Sequence, residues 1–482
     1  MIDRISSSVN AVPLLINGQE ISTKTTFEVK NPSTQKLVSY SCSAGEVEAV
    51  KAVEAAQAAF PDWARTRAVK RRDIVLRAAA ILESRADELA KYMQDEVGAT
   101  KFFSEKINIG VSAEIIRDVA GRIAAIQGSL PSTLDESTTA LVSREPYGVV
   151  LGIAPWNAPY ILGFRAAVFA LAAGNTVVLK GSENTPRCFW AIGKVFADAG
   201  LPKGCLNVLY HRPQDAAAIT EVLIKHPFVK KVNFTGSTAV GRIIAEMAGK
   251  SLKPVLLELG GKASAIVLKS ADLKKAAKEC VLGSFLNSGQ TCMCTERIIV
   301  EASIEKEFGD HLKAALNEMF PHDQPPQVLV NSAAVNKVRQ LVDSALDQGA
   351  NLLFGKIEEI ETSSAQMRPL VLQNVTNQMD IFYIESFGPT VSVIAAKDEA
   401  EAVAIANDTE YGLSAAVFTE DLATGLRVAK QIESGAVHIN AMTFHDEPSL
   451  PHGGIKSSGY GRFNADWGLN EFLKTKTITF QN

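Results

Sequence analysis

The stretch Gly148–Lys180 reads GVVLGIAPWNAPYILGFRAAVFALAAGNTVVLK. Gly148 to Ala154 is a short apolar run of strand length, Tyr160 to Ala172 is long enough for a helix, and Thr176 to Lys180 is a second apolar run after the Gly174-Asn175 turn. Strand, helix and strand in this order make a βαβ unit. The pattern then repeats, with helices expected over Pro186 to Ala199 and Ala216 to Lys225 and strands over Cys205 to Tyr210 and Lys231 to Thr235. Such alternation predicts an α/β fold with a parallel sheet covered by helices on both faces. Ligands in these sheets bind at the carboxyl ends of the strands. Those ends carry Pro155-Trp156-Asn157, Lys180-Gly181-Ser182-Glu183 and Thr235-Gly236-Ser237, which are polar or turn-forming where the strands are not.

Working outward, residues 46 to 125 read as helical cover, with Val47 to Phe60 and Arg71 to Tyr92 carrying apolar positions at three- and four-residue spacing. A second α/β series begins after Gly260, with strands expected over Ala265 to Leu268, Arg297 to Val300, Thr390 to Ala395 and Ala415 to Phe418. Thr139 to Arg144 and Thr475 to Phe480 alternate polar and apolar residues. Two isolated strands are not stable alone in water, so they are expected to pair in a projecting oligomerisation sheet.

The bulk properties fit this layout. A chain of 482 residues exceeds what one hydrophobic core fills, so two or more domains are expected. With 46% hydrophobic and 21% charged residues, neither a disordered nor a fibrous protein is indicated. The formal net charge is −4 and the basic residues are scattered, which argues against a nucleic-acid partner. The longest apolar stretch, Tyr160 to Ala173, is interrupted by Arg165 and falls short of the roughly 20 residues that cross a bilayer. The first residues include Asp3 and show no basic region followed by an apolar block, so no targeting signal is read there and the cytoplasm is the expected location. Cys42, Cys188, Cys205, Cys280, Cys292 and Cys294 form no disulfide framework, and the Cys292/Cys294 pair lacks the further ligands of a zinc site, so no metal is expected.

Four segments carry candidate chemistry. In Phe285-Leu-Asn-Ser-Gly-Gln-Thr-Cys292, a turn at Gly289-Gln290 can bring a nucleophilic sulfur to a cleft; a lone cysteine is otherwise more often a buried structural thiol. Glu258, set between Leu257 and Leu259 beside Gly260-Gly261, is placed for burial to raise its pKa toward that of a general base. Taken alone it is more readily a solvated or salt-bridged glutamate near a turn. Asn157, flanked by Pro155 and Pro159, can donate to an oxyanion together with a backbone amide near Cys292, or simply sit in a proline-rich turn. Phe234-Thr-Gly236-Ser237-Thr-Ala-Val240-Gly241 runs from a strand end into a helix start, where amides and a hydroxyl attract pyrophosphate. It is not the G-x-G-x-x-G fingerprint. Lys180 can bond ribose hydroxyls, while Glu183 can accept from the adenine ribose and repel a 2′-phosphate, which favours NAD over NADP.

In this order the segments resemble the aldehyde dehydrogenase superfamily along nearly the whole chain. Further pieces of its pattern are Ala172-Ala-Gly-Asn-Thr176, Glu385-Ser-Phe387-Gly388-Pro389, Asn407 with Tyr411-Gly412-Leu413, and Pro451-His-Gly453-Gly454 with Ser458-Gly459. The resemblance implies Cys292 as nucleophile, Glu258 as general base and Asn157 as oxyanion donor. It implies a dinucleotide site made by Ile153, Ala154, Pro155, Trp156, Lys180, Ser182, Glu183, Phe234, Gly236, Ser237, Val240, Leu259 and Gly260, with Glu385 on the nicotinamide ribose and Phe387 near the ring. It also implies a Rossmann-like NAD-binding domain over 1–125 and 147–257, a catalytic domain over 258–458 and a small β arm over 126–146 and 471–482, assembled as a dimer or tetramer. The implied reaction is thiolate attack on an aldehyde, hydride transfer to NAD, with NADP as the alternative, and hydrolysis by water that Glu258 activates.

Four positions depart from the usual pattern. Gly181 replaces a common proline, Phe463 stands where many members have a glutamate, and His452 replaces the phenylalanine of Pro-Phe-Gly-Gly. Arg165 follows Asn157 by eight positions, which places both on nearly one helix face, although an arginine there is also readily a surface or ion-paired side chain. Together with His445-Asp446-Glu447-Pro448 and Tyr460-Gly461-Arg462-Phe463, Arg165 resembles the salicylaldehyde and vanillin dehydrogenase branch. This implies an aromatic aldehyde whose ring oxygen meets Arg165 while Leu162, Met293 and Phe444 pack the ring. Two other readings share these residues: a CoA-acylating dehydrogenase, against which Glu258 argues, and a non-catalytic NAD-binding relative, against which the three reactive residues together argue.

Overall fold

The helix between the two strands of the opening stretch, Pro159–Ala172, is buried on every side, including Arg165. A helix that is apolar all round belongs inside, and this one packs against the sheet on one side and the helices Ser112–Arg122 and Pro186–Asp198 on the other. The computed structural model describes residues 11–481. The expectation about the first residues therefore lies outside the described residues, as do the outermost parts of the segments 1–125 and 471–482.

Val149–Ile153 is the centre of an eight-stranded sheet. On one side lie Thr176–Lys180 and Leu206–Leu209, and on the other Val229–Thr235 and Val255–Glu258, all parallel. The hairpin Leu14–Ile16/Gln19–Ile21 and the short strand Gly459–Tyr460 close the two edges antiparallel. The chain leaves the central strand toward one side and later resumes on the other. A crevice therefore opens between the carboxyl ends of Val149–Ile153 and Val229–Thr235, the place where such sheets take ligands. Register places Lys180, Ile153, Phe234 and Leu257 in one row along that edge.

A second sheet of seven strands contains Ala263–Val267, Thr295–Glu301, Thr390–Ala396 and Ser414–Phe418, flanked by Leu370–Gln373 and Ala436–Ile439 and edged by the antiparallel Asn351–Phe354. The α/β class and parallel sheets expected from the sequence are observed. Each sheet has its own apolar core, and after Ala436–Ile439 the chain returns to the first through Phe463, Leu469 and Phe472. Thr138–Pro146 and Leu473–Gln481 pair antiparallel along their whole length, away from both large sheets.

One helix differs from expectation. Arg71 to Tyr92 is not continuous but divides into Ala68–Ser84 and Ala86–Val97, because Arg85 leaves the helical region at φ −110° and ψ 18°. Asp87 and Glu88 then sit in the first turn of the new helix, where its dipole favours acids. Among the described residues no helix is long and apolar enough to cross a membrane.

Candidate active site

Glu258 ends the last parallel strand of the first sheet, and the chain passes through Leu259–Lys262 into the second. The glycine pair is what allows the crossing. A Cβ on Gly261 would sit 2.3 Å from the carbonyl oxygen of Cys292, and one on Gly260 would sit 2.7 Å from Glu385 Oε2. The cysteine is brought to this point by a tight turn in which Asn287, Ser288 and Gly289 all take left-handed conformations (φ 51°, 61° and 74°). Non-glycine residues hold such angles at a cost that surrounding bonds must offset. Asn287 Nδ2 donates to the Asn157 carbonyl (3.2 Å), and Gln290 ties the loop to Val328 (3.2 Å) and Val330 (2.8 Å).

The turn delivers the Cys292 sulfur to the junction of two cavities. One runs along the crevice of the first sheet and is walled by Pro155, Trp156, Gly236, Ser237, Leu259, Gly260, Glu385 and Phe387, with Lys337 at its side. The other is a pocket walled by Phe103, Ile161, Leu162, Arg165, Met293, Phe444, Asp446 and His452. Asn157, Leu162 and Cys292 belong to both.

Around the sulfur the geometry is dense. Cys292 Sγ donates to Glu258 Oε1 at 3.4 Å, Thr235 Oγ1 donates to Glu258 Oε2 at 3.2 Å, and His452 Nε2 lies 3.1 Å from Glu258 Oε1. Asn157, 5% exposed, donates one amide hydrogen to the Gln290 carbonyl (3.0 Å), leaving the other for a ligand. Burial, and then the neighbouring Glu258 carboxylate, raise the Cys292 thiol well above its ordinary value, so the resting sulfur carries its proton. Cys294, the neighbouring rival, is buried against Thr291 and lines neither cavity.

Glu258 corrects the expectation that burial would raise its pKa. Burial does push it upward, but the charges of His452 and Arg165 and the hydrogen bond to His452 more than offset this and hold it below the usual carboxylate value. The sequence reading lacked those partners, which come from residues far along the chain.

The remaining expected positions fall into four groups. Glu385 lines the crevice and accepts from the Gly261 amide (2.9 Å), with burial and Glu296 raising it to about 7. Phe387 meets Trp156 edge to face at 5.9 Å between centroids. Lys180, Ser182 and Glu183 stand at the end of the next strand, where burial lowers Lys180 to about 8 and Ser182 donates to Glu183 (3.3 Å). Ser237 caps the helix Thr238–Lys250 by accepting from the Val240 amide (3.4 Å), and Val240 is exposed on its first turn. Ile153, Ala154 and Phe234 are buried behind this edge and do not line the crevice. Phe234 instead packs beneath Gly236, where a Cβ would meet its ring at 2.5 Å.

Arg165 does reach the pocket, as the eight-residue spacing predicted, but not as a free guanidinium. It is 1% exposed and ion-paired with Asp446, leaving Nε without a hydrogen-bond partner. Asp446 is held well below the carboxylate range: burial opposes this, and Arg165 and His452 overcome it.

Several contributors were not read from the sequence as parts of the site. Glu296 fixes the 385–387 loop by accepting from the Ser386 amide (2.8 Å) and Phe387 amide (3.1 Å), and it pairs with buried Lys262. Lys337 Nζ donates to the Glu385 carbonyl (2.8 Å). Arg297, five positions after the cysteine, lines neither cavity and donates instead to the carbonyls of Ile405, Ala406 and Asp408 (3.0–3.1 Å) at the end of Glu399–Asn407.

Comparison with known proteins agrees with this architecture. The aldehyde dehydrogenase family profile matches residues 19–478. A vanillin dehydrogenase of Pseudomonas sp. strain HR199 is 43% identical over 479 residues, covering 98% of each chain. A salicylaldehyde dehydrogenase of Pseudomonas sp. strain C18 is 39% identical over 97% of this chain and 98% of its own. Among solved structures, a salicylaldehyde dehydrogenase from Pseudomonas putida G7 complexed with salicylaldehyde superposes with a TM-score of 0.94 at 37% identity, covering 98% of each chain. The chain belongs to the aldehyde dehydrogenase family and is an NAD(P)-dependent aldehyde dehydrogenase.

Proposed function

We propose that this enzyme oxidises aromatic, ring-oxygenated aldehydes to carboxylic acids, with NAD as acceptor and a thioacyl intermediate on Cys292. The observation that carries this reading is the sulfur at the junction of the two cavities, hydrogen-bonded to Glu258 and flanked by the free amide hydrogen of Asn157.

As the sulfur attacks the carbonyl carbon, its proton passes to Glu258 Oε1, and the carbonyl oxygen becomes an oxyanion that Asn157 Nδ2 stabilises. Such preorganised donors act strongly where water is excluded. When bound in the crevice, a nicotinamide dinucleotide supplies the hydride acceptor. Its donor set suits that group: Lys180 and Glu183 offer a cation and an acceptor for a ribose diol, the exposed helix start at Ser237 favours pyrophosphate, and Glu385 and Phe387 stand beside Cys292. Glu183 favours NAD, because a carboxylate there repels a 2′-phosphate. After the proton taken from the sulfur has passed from Glu258 to solvent, the carboxylate takes a proton from water as the water oxygen attacks the acyl carbon; the C–S bond breaks, that proton returns to the Cys292 sulfur, and the acid leaves. A CoA-acylating enzyme needs no such base.

The aromatic preference rests on the pocket lining and on the aromatic substrates in the relatives' names. Phe103, Ile161, Leu162, Met293 and Phe444 offer apolar contact, and the Arg165 guanidinium in the pocket wall offers its charge to a ring oxygen. The test is NADH formation across benzaldehyde, salicylaldehyde, vanillin and an aliphatic aldehyde, with product analysis in the presence and absence of CoA. Arg165→Leu is expected to lower the preference for oxygenated rings about 10-fold to 100-fold in kcat/KM. Arg165→Lys, which keeps Asp446 paired, should show the same direction. Unchanged discrimination in both variants refutes the role of Arg165, and a thioester product formed only with CoA refutes the hydrolytic reading.

The paired strands Thr138–Pro146 and Leu473–Gln481 are proposed as the oligomerisation arm, since Leu141, Ile478 and Phe480 leave 39–48% of their surface exposed on a two-stranded sheet. Aspartate at Ile478 and Phe480 together is expected to shift a dimer or tetramer toward monomer in light scattering; an unchanged mass removes the assignment. The six cysteines are all free, which suits a reducing compartment and a cytosolic enzyme.

A further inference from the structure

Met293, Asp446 and His452 line the pocket that holds Cys292 and also a second cavity behind it, whose far wall carries His438, His445 and Glu447. His452 is thus part of a partition, and it is 8% exposed. Its ring stands between two carboxylates. Nε2 is 3.1 Å from Glu258 Oε1, and Nδ1 is 3.9 Å from Asp446 Oδ1. Neither end is loose: the His452 backbone exchanges hydrogen bonds with Phe463 (3.0 and 2.8 Å), and Asp446 is held by Arg165 and by Asn464 Nδ2 (2.9 Å).

A carboxylate oxygen only accepts, so the 3.1 Å contact forms a hydrogen bond only when Nε2 carries a proton. The same Oε1 accepts from the Cys292 thiol, while Thr235 holds Oε2. We propose that His452 is the positioning residue of the general base: its ring N–H turns Glu258 onto the Cys292 sulfur, with Asp446 steadying the ring from behind. The inference rests on Glu258 being the base, and it assigns His452 no contact with substrate.

The electrostatic surroundings give the inference a sign. Around His452 are Glu258 from the strand end, Arg165 from the buried helix, Cys292 from its loop and Asp446 from its own segment; beyond the partition are His438 and the His445–Glu447 pair (2.9 Å). A base works above its pKa, and a depressed value means that activity persists until the pH falls through that low value. Without the imidazole, burial and Asp446 push Glu258 upward, opposed by Arg165. The acid limb of the rate profile should therefore move to higher pH.

The experiment compares wild type, His452→Phe and His452→Gln by the pH dependence of kcat/KM with NAD present and by the ratio of the NADH burst to steady-state turnover. His452→Phe is expected to lower kcat about 10-fold to 100-fold at neutral pH and to raise the acid limb by about one pH unit or more. His452→Gln keeps an N–H donor of similar reach in place of the imidazole. It should recover part of kcat while its acid limb still rises. An acid limb at the wild-type position in His452→Gln overturns the inference, and this variant decides the matter if His452→Phe does not fold. Glu258→Gln is measured alongside: if it deacylates normally, the reading of Glu258 as base has failed, whereas a slow Glu258→Gln beside normal His452 variants rejects only the role given to His452.

Discussion

Cys292→Ala is expected to abolish aldehyde oxidation, lowering kcat by about 10⁴-fold or more, because no second group can form the covalent intermediate. The substitution is structurally mild: the side chain is small, and the loop that carries it is fixed by Asn287 and Gln290 rather than by the sulfur. Binding of the dinucleotide should persist within a few-fold, since the crevice has many other walls. The nearest alternative thiol is Cys294, which faces Thr291 and the Leu286 carbonyl (3.9 Å) inside the loop. Cys294 is buried and lines neither cavity, so a substrate carbonyl does not reach its sulfur. Absorbance of NADH over many enzyme equivalents, with mass analysis for an acyl adduct on the wild-type peptide, checks this. Turnover of the alanine variant near the wild-type rate would remove Cys292 from the mechanism.

That this sulfur could be singled out at all reflects where local rules suffice. The βαβ unit around Pro159–Ala172 is legible because strand, buried helix and Gly174-Asn175 turn each obey their own period, and the site loops sit at strand ends that topology makes concave. Strands such as Asn351–Phe354 and Leu370–Gln373 are short, with little alternation to mark them. The break at Arg85 depends on tertiary fit, since neither proline nor glycine announces it. At the site, Cys292, Glu258 and Asn157 lie in recognisable segments, but what tunes them does not. Arg165 pairs with Asp446 across 281 positions, and His452 reaches Glu258 across 194. A single histidine after a proline carries no local sign of such a partner. The direction of the Glu258 shift was therefore beyond sequence reasoning, which supplies the burial but not the neighbouring charges.

Glu258→Gln is expected to slow acylation, because the Cys292 proton loses its acceptor, and to slow deacylation more, so that a slowed burst of one equivalent of NADH precedes steady turnover reduced about 10²-fold to 10⁴-fold. Glutamine has nearly the same shape and can keep the Thr235 and His452 contacts, but its amide oxygen cannot take a proton from water. The thioacyl enzyme then accumulates on Cys292. The carboxylate sits at the end of Val255–Glu258, 1% exposed, and does not line the dinucleotide crevice, so the affinity for NAD should change by less than about threefold, or about 0.7 kcal/mol. Charge balance also permits the change, since Arg165 still pairs with Asp446. Stopped-flow NADH formation, acid-quenched mass analysis of the Cys292 peptide and a dinucleotide titration separate the steps. A variant that loses NAD affinity as much as turnover would make Glu258 a cofactor residue, and one that deacylates at the wild-type rate would require another base for the water.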